Sequence, residues 1–252
     1  MRTSSRLTRT SAIVHSSLLA ERRAGRHTRA RSAANARPVR HALIAFACSI
    51  ALVPLGARAQ GVPPEALRSI QQSWARITYE MPKAERGDAY HALEATSAAL
   101  AAQNPGRAEP LIWEAIILST HAGVEGGLGG LGKAKEARRL LVEAQHLDPD
   151  AMPGSIYTTL GALYYQVPGW PLGFGDKDKA REMLQKAVAL DPTGIDGNYF
   201  YGDFLYHTGD TAGALAALRK AVAAPPREDQ PVADRGRREA ARELIQTITH
   251  SG

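Results

Sequence analysis

Cysteine is almost missing from this chain. The single residue, Cys48, lies among 252, so disulfide staples and cysteine-based metal sites are excluded and stability must come from core burial. Strand-like alternation is scarce. No apolar run approaches the about 20 residues that a membrane helix needs; the longest candidate, 42–56, has 15. Acidic residues are nearly absent from the first 41 positions, where ten arginines meet only Glu21. No Ser-His-Asp or Cys-His arrangement is visible, so no group set for nucleophilic catalysis can be named and the chain is expected not to be an enzyme.

The 42–56 run is preceded by Arg37 and Arg40 and followed by Ala57-Arg58-Ala59. Charged entry, short apolar middle and small-residue exit are the three parts of a secretory signal peptide. The expected division is therefore an N-terminal basic extension and signal peptide over 1–59 and a helical domain over 60–252. Cleavage is expected between Ala59 and Gln60, with release to the periplasm and no stable membrane span afterwards. The n-region is long, which suits a true start near Val39. A lipid on Cys48 is disfavoured, because Phe46 is bulky and the residues that follow stay apolar.

Cleavage reverses the charge. The chain has 31 basic and 25 acidic residues; 1–59 holds 11 and 1, leaving 20 and 24, or −4. The basic balance belongs to the leader, so nucleic acid is not an expected partner.

The remaining chain is rich in Ala and Leu. Helices are expected over 64–80, 86–103, 109–121, 133–146, 154–166, 177–190, 195–207, 211–223 and 233–249. Pro64 suits a first helical turn, and Asp176 and Asp234 suit helix caps. Asn104-Pro105, Asp148-Pro149, Asp191-Pro192 and Pro225-Pro226 stop helices, because proline has no N–H and restricts the residue before it.

A period of 34 organises these helices. Ala180, Leu184, Ala187 and Pro192 recur as Ala214, Leu218, Ala221 and Pro226. Ala137, Leu141, Ala144 and Pro149 repeat the order once more. Gly202 lies twelve residues before Ala214, whereas Gly161 lies 19 before Ala180, so about seven extra residues enter around 168–175. This pattern resembles the tetratricopeptide repeat (TPR) superfamily over 109–226, and more loosely over 64–105. The resemblance implies an all-α fold of antiparallel helical hairpins stacked as a right-handed solenoid, with a C-terminal capping helix whose Arg235, Arg237 and Arg238 form a solvated face. It also implies a protein or peptide partner. A narrower resemblance is to the T-component (TatT-like) family of TRAP transporters, carried by Gly173-Phe174-Gly175-Asp176-Lys177-Asp178-Lys179-Ala180. That likeness implies an accessory role beside a periplasmic solute-binding protein and its permease. A periplasmic peptide-binding assembly factor is the alternative.

Chemistry-bearing motifs are few. Gly127, Gly132 and Lys133 imitate a phosphate loop, but Ala134 stands where a Ser or Thr must meet magnesium and no strand precedes. The segment is expected to be a flexible inter-helix loop, and no cofactor is expected. His91, His121, His146, His207 and His250 show no i, i+4 pair, so no metal site is expected and partly exposed histidines are. In a TPR-like array the first helix of each hairpin lines the concave face. On the last hairpin that face presents Asp196, Tyr199, Asp203, Tyr206 and His207. On the one before, it presents Ser155, Thr158, Ala162, Tyr165 and Gln166. Tyrosine joins apolar area to a hydroxyl, which suits a binding surface; it equally suits packing against the next repeat. Trp170 and Phe174 on the insertion are expected to plug the gap between hairpins rather than stand free.

Overall fold

Proline and aspartate set the helix boundaries in the computed structural model, which describes residues 62–251. The expected leader, its cleavage site and Cys48 lie outside them. Among the described residues nine α-helices follow one another: α1 Pro64–Tyr79, α2 Arg86–Gln103, α3 Ala108–Glu125, α4 Gly127–Leu147, α5 Ser155–Gln166, α6 Lys177–Leu190, α7 Ile195–His207, α8 Thr211–Ala223 and α9 Pro231–Ser251, with a 3-10 turn at Lys83–Glu85. No strand is present among them, and no helix there is long and apolar enough to cross a membrane. Pro64 opens α1 in its first turn. Asp176 caps α6, accepting from the backbone N–H groups of Asp178 and Lys179 at 3.1 Å. Asp210 does the same for α8 through Gly213.

The helices pair as hairpins α1–α2, α3–α4, α5–α6 and α7–α8, and α1, α3, α5 and α7 stack in that order. The fold is an all-α helical solenoid. The period-34 positions form its seams. Ala137, Leu141, Ala144, Ala180, Leu184, Ala187, Ala214, Leu218 and Ala221 are all fully buried. Each glycine of the pattern receives the leucine of its partner helix. A methyl group on Gly202 would sit 2.7 Å from Leu218 Cγ, and one on Gly161 2.5 Å from Leu184 Cγ. The seam therefore needs a small residue on one helix and a large one on the other, which is close packing of the usual interior kind.

Several expectations are corrected. The glycine-rich stretch is not a loop: α4 begins at Gly127. Gly130 packs on the Ala122 carbonyl of α3, where a methyl would be only 2.5 Å from the oxygen. Close approach of α3 and α4 offsets the helix cost of glycine, about 1 kcal/mol each. Lys133 is not free to meet a phosphate. Its ammonium donates to Glu94 Oε2 at 3.0 Å and lies 3.5 Å from Glu125. His121 is buried rather than partly exposed, with Nδ1 2.7 Å from Glu94 Oε1 and its ring stacked on Tyr90.

The insertion divides its two aromatics. Phe174 packs edge-on against Tyr164, with the Arg138 guanidinium 4.4 Å above its ring. Trp170 is 89% exposed and plugs nothing. The C-terminal helix also departs from its expected polar character. Arg237 and Arg238 are largely buried, and only Arg235 is solvated. Asp234 lies inside α9 and caps nothing there. Its buried carboxylate accepts from the Arg227 backbone N–H at 2.8 Å and from Arg227 Nε at 2.7 Å.

Helix α9 does more than cover the last repeat. Its 21 residues span roughly 30 Å, and it meets α8, α7 and also α1. Val232 and Ala233 join Ile70 and Trp74 in one apolar cluster. Gly236 lies flat on the Tyr79 ring with no room for a Cβ, and Arg235 Nη2 donates to Glu80 Oε1 at 2.6 Å. The last helix thus returns to the first and spans one side of the concave face.

Candidate functional site

Closure leaves a cavity of about 410 Å³ ringed by α1, α3, α5 and α7 and roofed by the 224–230 turn and α9. One wall is aromatic. Trp74 of α1 and Trp113 of α3 meet edge-on with centroids 5.9 Å apart. Trp74 Nε1 donates to Thr120 Oγ1 at 3.0 Å, while the buried Trp113 indole N–H has no hydrogen-bond partner. The α5 wall is small and polar, with Ser155, Thr158, Ala162 and Gln166 facing the space.

The opposite end is ionic. Asp196, in the first turn of α7, accepts from Arg237 Nε at 2.8 Å and Arg227 Nη1 at 3.0 Å. Burial opposes ionisation of Asp196, but the two guanidinium groups outweigh it and hold the carboxyl below its ordinary range. Arg237 is clamped between rings, 4.5 Å from Tyr199 and 4.7 Å from Phe200. Burial works against its charge, and Tyr79, Asp196 and Tyr199 more than restore it. Burial also pushes Tyr79 up to about 12. These groups join α7, α9 and α1, and of them Asp196, Phe200, Arg227 and Arg237 also line the cavity.

Of the ten residues expected on the concave face, Ser155, Thr158 and Ala162 line the cavity as described above, and the other seven divide. Asp196 and Gln166 line the cavity. Tyr199 lies behind Asp196 beneath Arg237. Tyr165 donates its hydroxyl to Asp203 Oδ2 in a short hydrogen bond that pins α5 to α7. Burial first, and Asp203 second, push the Tyr165 phenol well above its usual value. His207 Nδ1 donates to the Asp203 carbonyl at 2.8 Å, and its ring meets Tyr206 edge-on. Tyr165, Asp203, Tyr206 and His207 form a separate cluster further along α7. The cavity takes Ile195, Asp196, Gly197 and Phe200, all from the first two turns of this helix. A helix rises about 1.5 Å per residue, so Asp203 and Tyr206 stand roughly 10 and 15 Å along the axis from Asp196 and pass beyond the end of the cavity.

Trp74, Trp113, Arg227 and Arg237 did not enter the sequence-based site. Trp74 belongs to the hairpin that matches the repeat loosely, whereas Trp113 lies within the better-matched 109–226. Applying the first-helix rule to α3 picks out Trp113, Ile116 and Thr120, all cavity residues. Nothing local in the sequence marks Arg237 as paired to a residue 41 positions earlier. Among the described residues, no group of three His, Cys, Asp or Glu converges as a metal site.

No protein-family model matches the chain, and no curated protein matches it. Solved structures of similar outline exist. The crystal structure of MamA is 18% identical over 65% of this chain and 88% of its own, with a TM-score of 0.40. TTC0263, a thermophilic TPR protein in Thermus thermophilus, is 20% identical over 71% and 98%, at 0.38. MamA 41-end from Desulfovibrio magneticus RS-1 is 17% identical over 75% and 96%, at 0.41. The assignment of this chain as a helical solenoid rests on its own packing, described above.

Proposed function

We propose that this is a non-catalytic binding protein whose ligand is a compact solute, or the end of a protein segment, held in the cavity that α9 closes. The closure carries the reading. An extended peptide advances about 3.3 Å per residue and needs an open trough, which the α9–α1 contact blocks. A volume of about 410 Å³ lies within the range of small-ligand pockets, roughly 300–1,000 Å³. Apolar rings on one wall and fixed hydroxyls and charges on the others are the usual lining of such pockets.

Native mass spectrometry of the protein isolated from its own host tests this. The expected result is an adduct of small-molecule mass. Ala162→Trp, which places an indole in the cavity, is expected to lose the adduct while retaining the helical circular dichroism spectrum. A folded Ala162→Trp protein that still carries the adduct contradicts the cavity as the site.

A compact ligand favours the transport-accessory role over the peptide-binding assembly factor. That role rests on the likeness of 173–180 to the TRAP T-component family. It predicts recovery of a solute-binding protein or permease with this chain from the periplasm; recovery of envelope-complex subunits instead favours the assembly factor. Export rests on the 42–59 pattern. Terminal sequencing of the envelope-fraction protein is expected to begin at Gln60, and a chain retaining 1–59 contradicts it.

A further inference from the structure

The corner where α4 begins carries three large apolar side chains that the cavity does not use. Leu128 is 88% exposed, Trp170 89% and Leu172 70%. They belong to one place. Leu131 follows Leu128 by one turn on the same face of α4, and a methyl on Gly173 would lie 3.4 Å from Leu131 Cδ1. The insertion is therefore laid along the α4 face that continues through Lys135 and Arg138, with Phe174 under the Arg138 guanidinium at 4.4 Å. Its ends are tied down. Gly175 N–H donates to the Pro168 carbonyl at 2.9 Å, and Asp176 N–H to the Tyr164 carbonyl at 2.8 Å. Trp170 and Leu172 thus project from an anchored base.

Charge selects the occupant. The chain from Gln60 on is net −4, with 20 basic and 24 acidic residues. Yet among the described residues Lys135, Arg138 and Lys177 beside this corner pair with no carboxylate, while the neighbouring Lys133, Arg139 and Lys179 are already paired. Against these three cations stand two acids: Asp178, which forms no ion pair among the described residues, and Glu125 beside Leu128, which shares Lys133 with Glu94. The corner thus keeps a small positive excess on an acidic protein. We propose that it docks on a lipid surface bearing anionic headgroups, with Trp170, Leu172 and Leu128 entering the interface and Lys135, Arg138 and Lys177 meeting the headgroups. Trp is suited to the boundary between headgroup and acyl chain because its indole is apolar with one polar edge. A protein partner would need a preformed pocket for each protruding side chain. A fluid bilayer needs none, and attraction to anionic lipid adds to the apolar term.

The chain from Gln60 on contains all three apolar cores and keeps the 42–56 run out of the measurement. It is mixed with vesicles of phosphatidylcholine alone and with vesicles also containing phosphatidylglycerol. The expected result is co-sedimentation with the second kind and quenching of indole fluorescence by brominated lipid. Trp170→Phe is expected to remove the quenching, since Trp74 and Trp113 are buried. Leu128→Ser with Leu172→Ser is expected to weaken binding by about tenfold or more, and Lys135→Glu with Lys177→Glu to abolish the preference for phosphatidylglycerol. These exposed positions leave the fold intact, which circular dichroism checks. Wild-type protein that stays in the supernatant overturns the proposal. So does undiminished binding by the Leu128→Ser, Leu172→Ser variant. Vesicle-free dimers that the variant loses would assign the corner to a second copy, and recovery of one envelope protein without vesicle binding would assign it to that partner; either result overturns lipid docking.

Discussion

Asp196 shows how one side chain serves both closure and lining. It sits between Arg227 and Arg237, and Arg237 has few alternatives because it is enclosed by Tyr79, Tyr199 and Phe200. Removing the carboxylate leaves a nearly buried guanidinium unpaired. Asp196→Asn is expected to cost on the order of 2 kcal/mol in urea unfolding, below the 3–5 of a fully buried pair, because a third of the Asp196 side chain meets solvent. The pH dependence has a definite sign. Its carboxyl titrates lower in the fold than in the unfolded chain, so the unfolded state binds the proton more readily. The contribution is complete above the ordinary carboxylate value of about 3.9 and disappears as pH falls through the lower folded value. Wild-type stability should therefore fall more steeply in acid than that of Asp196→Asn; parallel acid profiles would contradict the assigned pairing. From sequence, Asp196 is legible as a first-helix residue of the last hairpin. Its two cations are not, because ion pairs across 31 and 41 positions leave no local pattern.

The helical hairpin is the level at which the sequence is most legible. Prolines at 105, 149, 192 and 226 and the alanine–leucine–alanine spacing set the helices to within about four residues, except that α4 begins at Gly127 and not at 133, because backbone chemistry and core size constrain the same positions. The glycines distinguish two uses of one residue type. Gly202 and Gly161 admit leucines, so Gly202→Ala is expected to destabilise by about 1–3 kcal/mol through overpacking. At Gly132 of α4, a methyl group would meet nothing within 4 Å. Gly132→Ala is expected to stabilise by about 0.5–1 kcal/mol, because alanine loses less backbone freedom in a helix. Thermal or urea unfolding of the pair checks both signs. The misreading of 127–133 as a loop has the same origin: glycine content signals flexibility, and only the approach of α4 to α3 converts it into a helix.

For the whole molecule, the decisive contact joins the two ends of the described chain. A repeat template describes each hairpin and its neighbour, and nothing in it states how far the array curves. Whether four hairpins and a final helix leave a trough or a ring depends on accumulated rotation, on Tyr79 meeting Gly236 and on Glu80 meeting Arg235. A closed ring turns a peptide-binding groove into a solute-sized chamber, and the proposed ligand class depends on that difference. Spin labels at Gln72→Cys and Asp229→Cys, exposed residues that face one cleft between α1 and the turn into α9, in the cysteine-free chain from Gln60, measure it directly by electron–electron distance spectroscopy and leave both contacts in place. Packed helices lie about 8–10 Å apart, so a ring predicts one short, narrow distance. A long or broad distribution would show α9 swung away from α1 and would contradict the ring that shapes the cavity.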